Sequence, residues 1–177
     1  MVSSCDTSRL PYSFRINITR GGIGRYHLNT TQIFPVSRAT AFTFFEDPGN
    51  LCDITPPWLD FRLHGAVKPV KVCVGAEFDS HIRWFGVLLQ WRSRIIHYKP
   101  PSAFTDIQLI GPYKYWEHRH EFKDVPEGTQ MTDEVVYVLP FGILGDIIHA
   151  LVVTHQLQDI FCYRAAKIND WALRQAE

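Results

Sequence analysis

The sequence predicts an α+β fold in which a curved antiparallel sheet of about six to seven strands wraps around one long C-terminal helix. β-prone segments between residues 25 and 139 follow one another through short turns, which is typical of an antiparallel meander. Two short helical segments interrupt this series after the first strand. The segment from Asp146 to about Leu173 lacks Gly and Pro and carries an apolar stripe with three- and four-residue steps, which indicates a helix. The stripe consists of Ala150, Val153, Leu157, Ile160, Phe161, Arg164, Ile168 and Trp171. The first half of this helix, from Ile147 to Val153, is apolar nearly all round, so we expect it to be buried on more than one side.

The first strand is predicted over Arg25–Phe34, where the residues alternate and Pro35 follows. Ser37 is a good N-cap for a short helix over Ala39–Glu46. A second helical segment of one or two turns is expected at Asn50–Ile54. These two helices lie at a point in the chain where they can close one end of the space between the sheet and the long helix.

The remaining strands are predicted from alternation and from the turn residues between them. They are Phe61–Gly65, Ala76–Phe85, Val87–Tyr98, Phe104–Ile110, Tyr113–Phe122 and Thr129–Leu139. At 1.5 Å per residue the C-terminal helix is roughly 40 Å long, enough to cross a small sheet. A curved sheet does not pack flat along such a rod, so we expect a cavity between them.

The chain is expected to divide into a flexible segment and a compact domain. Residues 1–24 are polar, turn-prone and end near several glycines, so they are expected to form a flexible N-terminal extension. Residues 25–177 are expected to form the compact ligand-binding domain. The alternative for Tyr12–Thr19, which alternates weakly, is a strand at the edge of the sheet.

Composition excludes several classes of protein. The 177 residues suit one domain with a real core, and 18 acidic and 18 basic residues leave no basic surface for nucleic acid. No apolar run approaches the roughly 18 residues of a membrane span, so no integral membrane association is expected. Four scattered cysteines without a CxxC motif argue against a disulfide framework or a cysteine zinc site and favour a cytoplasmic location.

Strand parity predicts a group of polar side chains inside the fold. Alternate residues of a strand face opposite sides, and the side opposite His118 and His120 is entirely charged. This charged set is Glu117, Arg119, Glu121 and Lys123. The two histidines are therefore expected to face inward beside Trp116. On the last strand, Asp133 and Tyr137 share a face with Met131 and Leu139 and are also placed inward.

Three interpretations of His118, His120 and Asp133 stay open. A buried carboxylate needs a partner, so the three residues can form a structural network that fixes strand register. They can also recognise the polar end of a ligand in a mainly apolar cavity. As catalytic candidates, a histidine would carry a proton and Asp133 would orient it. No metal site and no cofactor are expected. His149, on the long helix, is expected at the surface, and the alternative is a position that faces the cavity.

The segments ITPPWLDF, FTDIQLIGPYKYWEHRHEF and TDEVVYVLPFGILG, in this order of elements, resemble the SRPBCC superfamily. This superfamily has the helix-grip fold and includes START lipid-transfer domains, birch-pollen-allergen-type proteins and the polyketide cyclase/dehydrase group. The resemblance covers about Arg25 to Trp171. It implies a hydrophobic or amphipathic small molecule held under the C-terminal helix, and it carries over no catalytic residues.

The sequence and the resemblance together predict a protein that binds a lipid-, polyketide- or quinone-like molecule between the sheet and the helix. The alternative is an enzyme of the cyclase or dehydratase kind that uses the cavity histidines for proton transfer. A third class is an interaction module that assists another enzyme, against which the lack of an obvious exposed apolar patch argues. The residues expected to contact the ligand are Trp58, Trp116, His118, His120, Asp133, Tyr137, Ile147 and Leu151.

Overall fold

A computed structural model of the chain describes residues 14–22, 24–64, 72–84 and 86–176. The described chain contains one antiparallel sheet with the strand order β1-β2-β8-β7-β6-β5-β4-β3. The strands are β1 (Phe14–Gly22), β2 (Arg25–Phe34), β3 (Arg62–His64), β4 (Glu77–Trp84), β5 (Val87–Lys99), β6 (Ala103–Ile110), β7 (Tyr115–Val125) and β8 (Gly128–Val138). From β3 to β8 each strand pairs with the next, so the predicted meander is confirmed.

The sheet has eight strands rather than six to seven because β1 is part of it. β1 pairs antiparallel with β2 along nearly its whole length and forms one edge. The predicted boundary between residues 24 and 25 therefore falls inside the sheet. An edge strand was the alternative expected at Tyr12–Thr19, and the structure has it at Phe14–Gly22. Residues 1–13 of the expected extension lie outside the described residues.

Two short helices follow β2, as predicted. They are α1 (Arg38–Glu46), where the Ser37 side chain accepts a hydrogen bond from the Thr40 backbone N–H, and α2 (Leu51–Ile54). The C-terminal helix consists of α3 (Ile143–Ile148), a π-helical turn (His149–Val153) and α4 (Thr154–Ala176). It begins three residues before the predicted start.

Two glycines shape the turn into this helix. Gly142 has a φ of +55°, which L side chains rarely adopt. Gly145 is buried against the turn, and a Cβ at this position would lie 2.3 Å from the carbonyl oxygen of Pro140. Both positions therefore require glycine for the chain to turn into the helix.

The helix packs into the concave side of the sheet through one stripe of residues spaced by three or four. This stripe is Val153, Leu157, Phe161, Ala165, Ile168 and Ala172, all buried. Its first half packs with Leu28, Val135 and Tyr137, and its end packs with Phe34 and Phe122. The predicted arrangement of sheet around helix is thus confirmed.

The beginning of the helix does not pack as expected. The segment from Ile147 to Val153 was expected to be buried on more than one side, but five apolar residues in this segment and just before it leave most of their surface open. They are Phe141, Ile143, Leu144, Ile147 and Leu151, each more than half exposed. The expectation that no apolar patch is exposed is therefore wrong. None of the described helices is long and apolar enough to cross a membrane.

The cysteines also depart from expectation. Cys52 and Cys73 are free and exposed, whereas Cys162 is disulfide-bonded. Disulfides are uncommon in a reducing compartment, so the cysteines no longer favour a cytoplasmic location, which stays a prediction.

Candidate functional site

A cavity of about 500 Å³ lies between the sheet and the C-terminal helix. Its wall is mostly apolar and comes from β4, β5 and β7 on one side and from α4 on the other. The main wall residues are Ile82, Leu89, Trp91, Trp116, Leu157, Ile160 and Phe161. Its size and apolar wall are typical of sites that enclose small molecules.

A second compartment of about 210 Å³ adjoins the first on the side of α1. The two compartments share six wall residues, which are Phe61, Ile82, Trp91, Trp116, His118 and Arg164. The smaller compartment is the more polar one, since Asp106 and His120 line it. A ligand that spans both would place an apolar body in the large compartment and a polar end near His118 and Arg164.

Asp133 connects the two histidines behind the cavity wall. Its Oδ1 lies 3.0 Å from His118 Nε2 and 2.7 Å from His120 Nδ1, and its Oδ2 accepts a hydrogen bond of 3.0 Å from Thr30. The His120 N–H does not point along the line to Oδ1, so this contact is an ion pair rather than a linear hydrogen bond. His120 Nε2 lies 3.6 Å from Asp106 Oδ1.

The two histidines differ in charge. Burial lowers the pKa of His118 to about 4, with a further contribution from the neighbouring charge of His120 and against the effect of Asp133. Burial also opposes the charged form of His120, but the carboxylates of Asp106 and Asp133 outweigh it and raise its pKa. Burial likewise opposes the carboxylate form of Asp133, yet the two histidines hold the pKa of Asp133 well below its usual range. At neutral pH we therefore assign a neutral His118 beside an ionised Asp133.

These shifts predict a pH of maximum stability near 6.5. The unfolded chain protonates His118 near pH 6.5, but the folded chain does so only near pH 4. Stability therefore falls as the pH falls through this range. His120 has the opposite shift, so its contribution is present below pH 6.5 and is lost as the pH rises through its raised pKa. Urea unfolding between pH 4 and 9 measures this. The variant His118→Gln should lose the acid limb, and a stability that keeps rising down to pH 4 would contradict the assignment.

Asp106, His118 and His120 also have the residue types of a metal site, and one possible ligand atom from each lies within 4.8 Å of the others. Two features argue for a different use. Asp133 already neutralises the histidine pair, and the guanidinium of Arg164, whose charge acts on His120 and Asp133, would repel a cation.

Arg164 reaches the junction of the compartments from α4. Its guanidinium carbon lies 5.6 Å from the centroid of the Phe45 ring and 6.0 Å from that of Phe161. Its Nε is buried and makes no hydrogen bond. The guanidinium therefore contacts two aromatic faces, and it lies between the apolar wall of the large compartment and the polar wall of the smaller one.

A second polar group holds the start of the helix on the sheet. The Tyr137 hydroxyl lies 2.7 Å from His149 Nε2, and the Tyr26 hydroxyl donates a hydrogen bond of 2.6 Å to Asp146. The rings of Tyr26 and His149 stack at 3.4 Å between centroids. His149 is buried, so the expectation that it lies at the surface is wrong.

The residues expected to contact the ligand fall into three groups. Trp116 and His118 line both compartments, and His120 lines the smaller one. Asp133 and Tyr137 are buried, as predicted, but stand behind the wall and do not line either compartment.

The third group lies away from both compartments. Trp58 is 55% exposed and packs its ring edge against Tyr163. Ile147 and Leu151 lie on the exposed side of the helix start. From this part of the helix it is Ile148, and not Ile147 or Leu151, that lines the large compartment.

Two site residues were not found from the sequence. The parity of β6 left the direction of Asp106 undecided, and it was the register that placed Asp106 opposite His118 on β7. The sequence pattern places Arg164 in the helix stripe and gives it no role in the site. Its signal was present, because it is a cation inside an otherwise apolar series.

No family model matches the chain, and no curated protein matches it in sequence. Solved structures do match it in three dimensions. Protein Ms6760 from Mycobacterium smegmatis has a TM-score of 0.66 at 13% identity, with 94% of this chain and 100% of that chain covered. TTHA0849 from Thermus thermophilus has a TM-score of 0.62 at 16% identity, with 85% of this chain and 99% of that chain covered.

The major latex-like protein 151 of Panax ginseng gives a similar result. Its TM-score is 0.63 at 15% identity, over 85% of this chain and 99% of that chain. At such identities the likeness shows the fold alone. The chain therefore has a helix-grip fold, in which one curved antiparallel sheet holds a long C-terminal helix.

Proposed function

We propose that this protein belongs to the SRPBCC superfamily and binds one amphipathic small molecule between the sheet and the C-terminal helix. The observation that carries the proposal is the apolar cavity of about 500 Å³ that opens into a smaller polar compartment. A lipid-, polyketide- or quinone-like molecule has the matching distribution, with an apolar body and one polar end.

The wall explains why an apolar body is favoured. Removing apolar surface from water contributes roughly 25 cal/mol per Å², and the large compartment is lined by aromatic and branched side chains. The smaller compartment adds His118, His120 and Asp106, so a polar end finds hydrogen-bonding groups there. The helix-grip fold, which this chain shares with the ginseng protein, provides the space between sheet and helix in which such a molecule would lie.

Binding is favoured over acid–base catalysis by the protonation of His118. This imidazole is the one that lines both compartments, and its pKa of about 4 makes it a weak base near neutral pH. His120 has the higher pKa, but Asp106 and Asp133 hold it from two sides. The polar residues are better suited to orient a ligand than to move its protons.

Titration with the neutral fluorescent probe N-phenyl-1-naphthylamine tests the proposal. We expect saturable binding of one probe per chain, with quenching of tryptophan fluorescence, because Trp91 and Trp116 line the cavity. Trp58→Phe is the matched control, since this side chain lies outside both compartments, and it should leave the affinity unchanged. Absence of saturable binding, or loss of binding in the Trp58 variant, would contradict the proposed site.

A further inference from the structure

We propose that Arg164 is the recognition site for a carboxylate at the polar end of the bound molecule. This inference rests on the proposed function and names the chemical class of its ligand. It follows from a cation at the cavity junction whose charge has no ion-pair partner within the described chain.

Arg164 lacks an ion-pair partner among the described residues. Among the described residues, ion pairs within 4.0 Å engage Arg20, Arg38, Arg62, Arg83, Arg92, Arg94 and Arg119, but not Arg164. Its Nε is buried and makes no hydrogen bond. A partly buried cation without a partner is costly to the fold, so its presence in the wall calls for another reason.

The charge of Arg164 lies where the two compartments meet. Arg164 is shared by the walls of both compartments, and its guanidinium lies against the faces of Phe45 and Phe161. Aromatic faces stabilise the cation and leave its N–H edge free for hydrogen bonds. A molecule whose body fills the large compartment would bring its polar end to this edge.

The other charged groups near Arg164 are already in contact with one another. Asp133 contacts both His118 and His120, and Asp106 contacts His120. With His120 protonated, Asp106 and Asp133 face one cationic imidazole and one guanidinium farther away. Both carboxylates are thus held by histidine contacts, so Arg164 is the group at the junction that offers its charge to a ligand anion, whereas a ligand cation would have to displace those contacts.

The shape of the guanidinium favours a carboxylate over other anions. A guanidinium presents N–H donors in a planar fork that matches a carboxylate, and such paired hydrogen bonds are stronger than those between neutral groups. His118 lines the same junction, but its Nε2–H is bonded to Asp133 and its other ring nitrogen only accepts, so the fork of Arg164 supplies the donors for the anion. A medium-chain carboxylic acid therefore has the required features of an apolar chain and one planar anionic end.

The experiment compares dodecanoic acid with dodecan-1-ol as displacers of N-phenyl-1-naphthylamine. These two molecules share the chain and differ in the charge of the end group. We expect the wild-type protein to prefer the acid by about tenfold or more. Arg164→Gln should remove this preference and leave the affinity for the alcohol within about twofold. Arg164→Lys should keep part of the preference, because it keeps the charge but loses the planar fork.

The control is Arg174→Gln, an exposed cation of the same helix, which should keep the full preference. Unfolding in urea adds a readout that a structural role would change. Because the guanidinium makes no ion pair among the described residues, the urea midpoint of Arg164→Gln should stay close to that of the wild type. Equal affinity for acid and alcohol in the wild type, or an unchanged preference in Arg164→Gln, overturns the inference. Neither result affects binding of the neutral probe, which tests the proposed function separately.

Discussion

Asp133→Asn is expected to lower the free energy of unfolding by about 3–5 kcal/mol, the largest effect of any substitution considered for this protein. Asp133 is 5% exposed and holds three contacts, from Thr30, His118 and His120. An amide removes the negative charge that stabilises His120 in its protonated form. It also offers a donor to at least one of the groups that now donate to the carboxylate.

Urea unfolding at pH 6.5 measures this effect, and Glu134→Gln is its matched control. Glu134 is the next residue of β8, faces the opposite side and is exposed, so the same chemical change should alter stability by less than about 0.5 kcal/mol. A loss below about 1 kcal/mol for Asp133→Asn would show that the network is not held by its charge. The histidines would then need a different explanation.

The second large effect is expected from filling the large compartment. Ile82 on β4 and Leu89 on β5 are direct cross-strand partners, and both line its wall. The double variant Ile82→Trp/Leu89→Trp places two indoles in the space assigned to the ligand. We expect the affinity for N-phenyl-1-naphthylamine to fall about tenfold or more, because the body of the probe and the new rings compete for the same volume.

Leu88→Trp provides the comparison for this variant. Leu88 is adjacent to Leu89 but is 56% exposed and lies on the other face of β5. Adding the same ring there should leave probe affinity unchanged. Circular dichroism melting checks that both variants remain folded. Equal affinities in the filled variant and the wild type would place the probe outside the cavity.

The sequence predicted the fold well because the elements that define it have strong local signals. β7 shows this most clearly, since four successive residues of one face, from Glu117 to Lys123, are charged and so place His118 and His120 inside without knowledge of the register. β2 was bounded correctly because it alternates and ends at a proline. The alternation of β1 is too weak to decide between a flexible segment and a strand, and its pairing with β2 shows that it is a strand.

The site was less predictable because it depends on which segments meet. Both faces of β6 carry mixed residues, so the direction of Asp106 could not be read until its pairing with β7 was known. The start of the C-terminal helix is apolar on all sides, so no face was marked as the buried one. The sequence predicts Ile147 and Leu151 as ligand contacts there, but both are exposed.

The π-helical turn explains a further difference. A π turn holds more residues than an α turn, so the phase read from the later part of the helix shifts across it. The sequence pattern assigned Ala150 to the buried stripe. In the structure His149 is buried instead, four residues before Val153, and Ala150 is exposed. This shift brings His149 to Tyr137 and anchors the helix start to the sheet.

A crystal structure of the protein with 12-bromododecanoic acid tests the central claim most directly, because the anomalous signal of bromine locates the end of the chain. We expect the bromine in the large compartment near Leu89 and Leu157, and the carboxylate within hydrogen-bonding distance of the Arg164 guanidinium. Bromine on the exposed apolar surface around Ile147 and Leu151, with side chains filling the space under the helix, would contradict the proposed site.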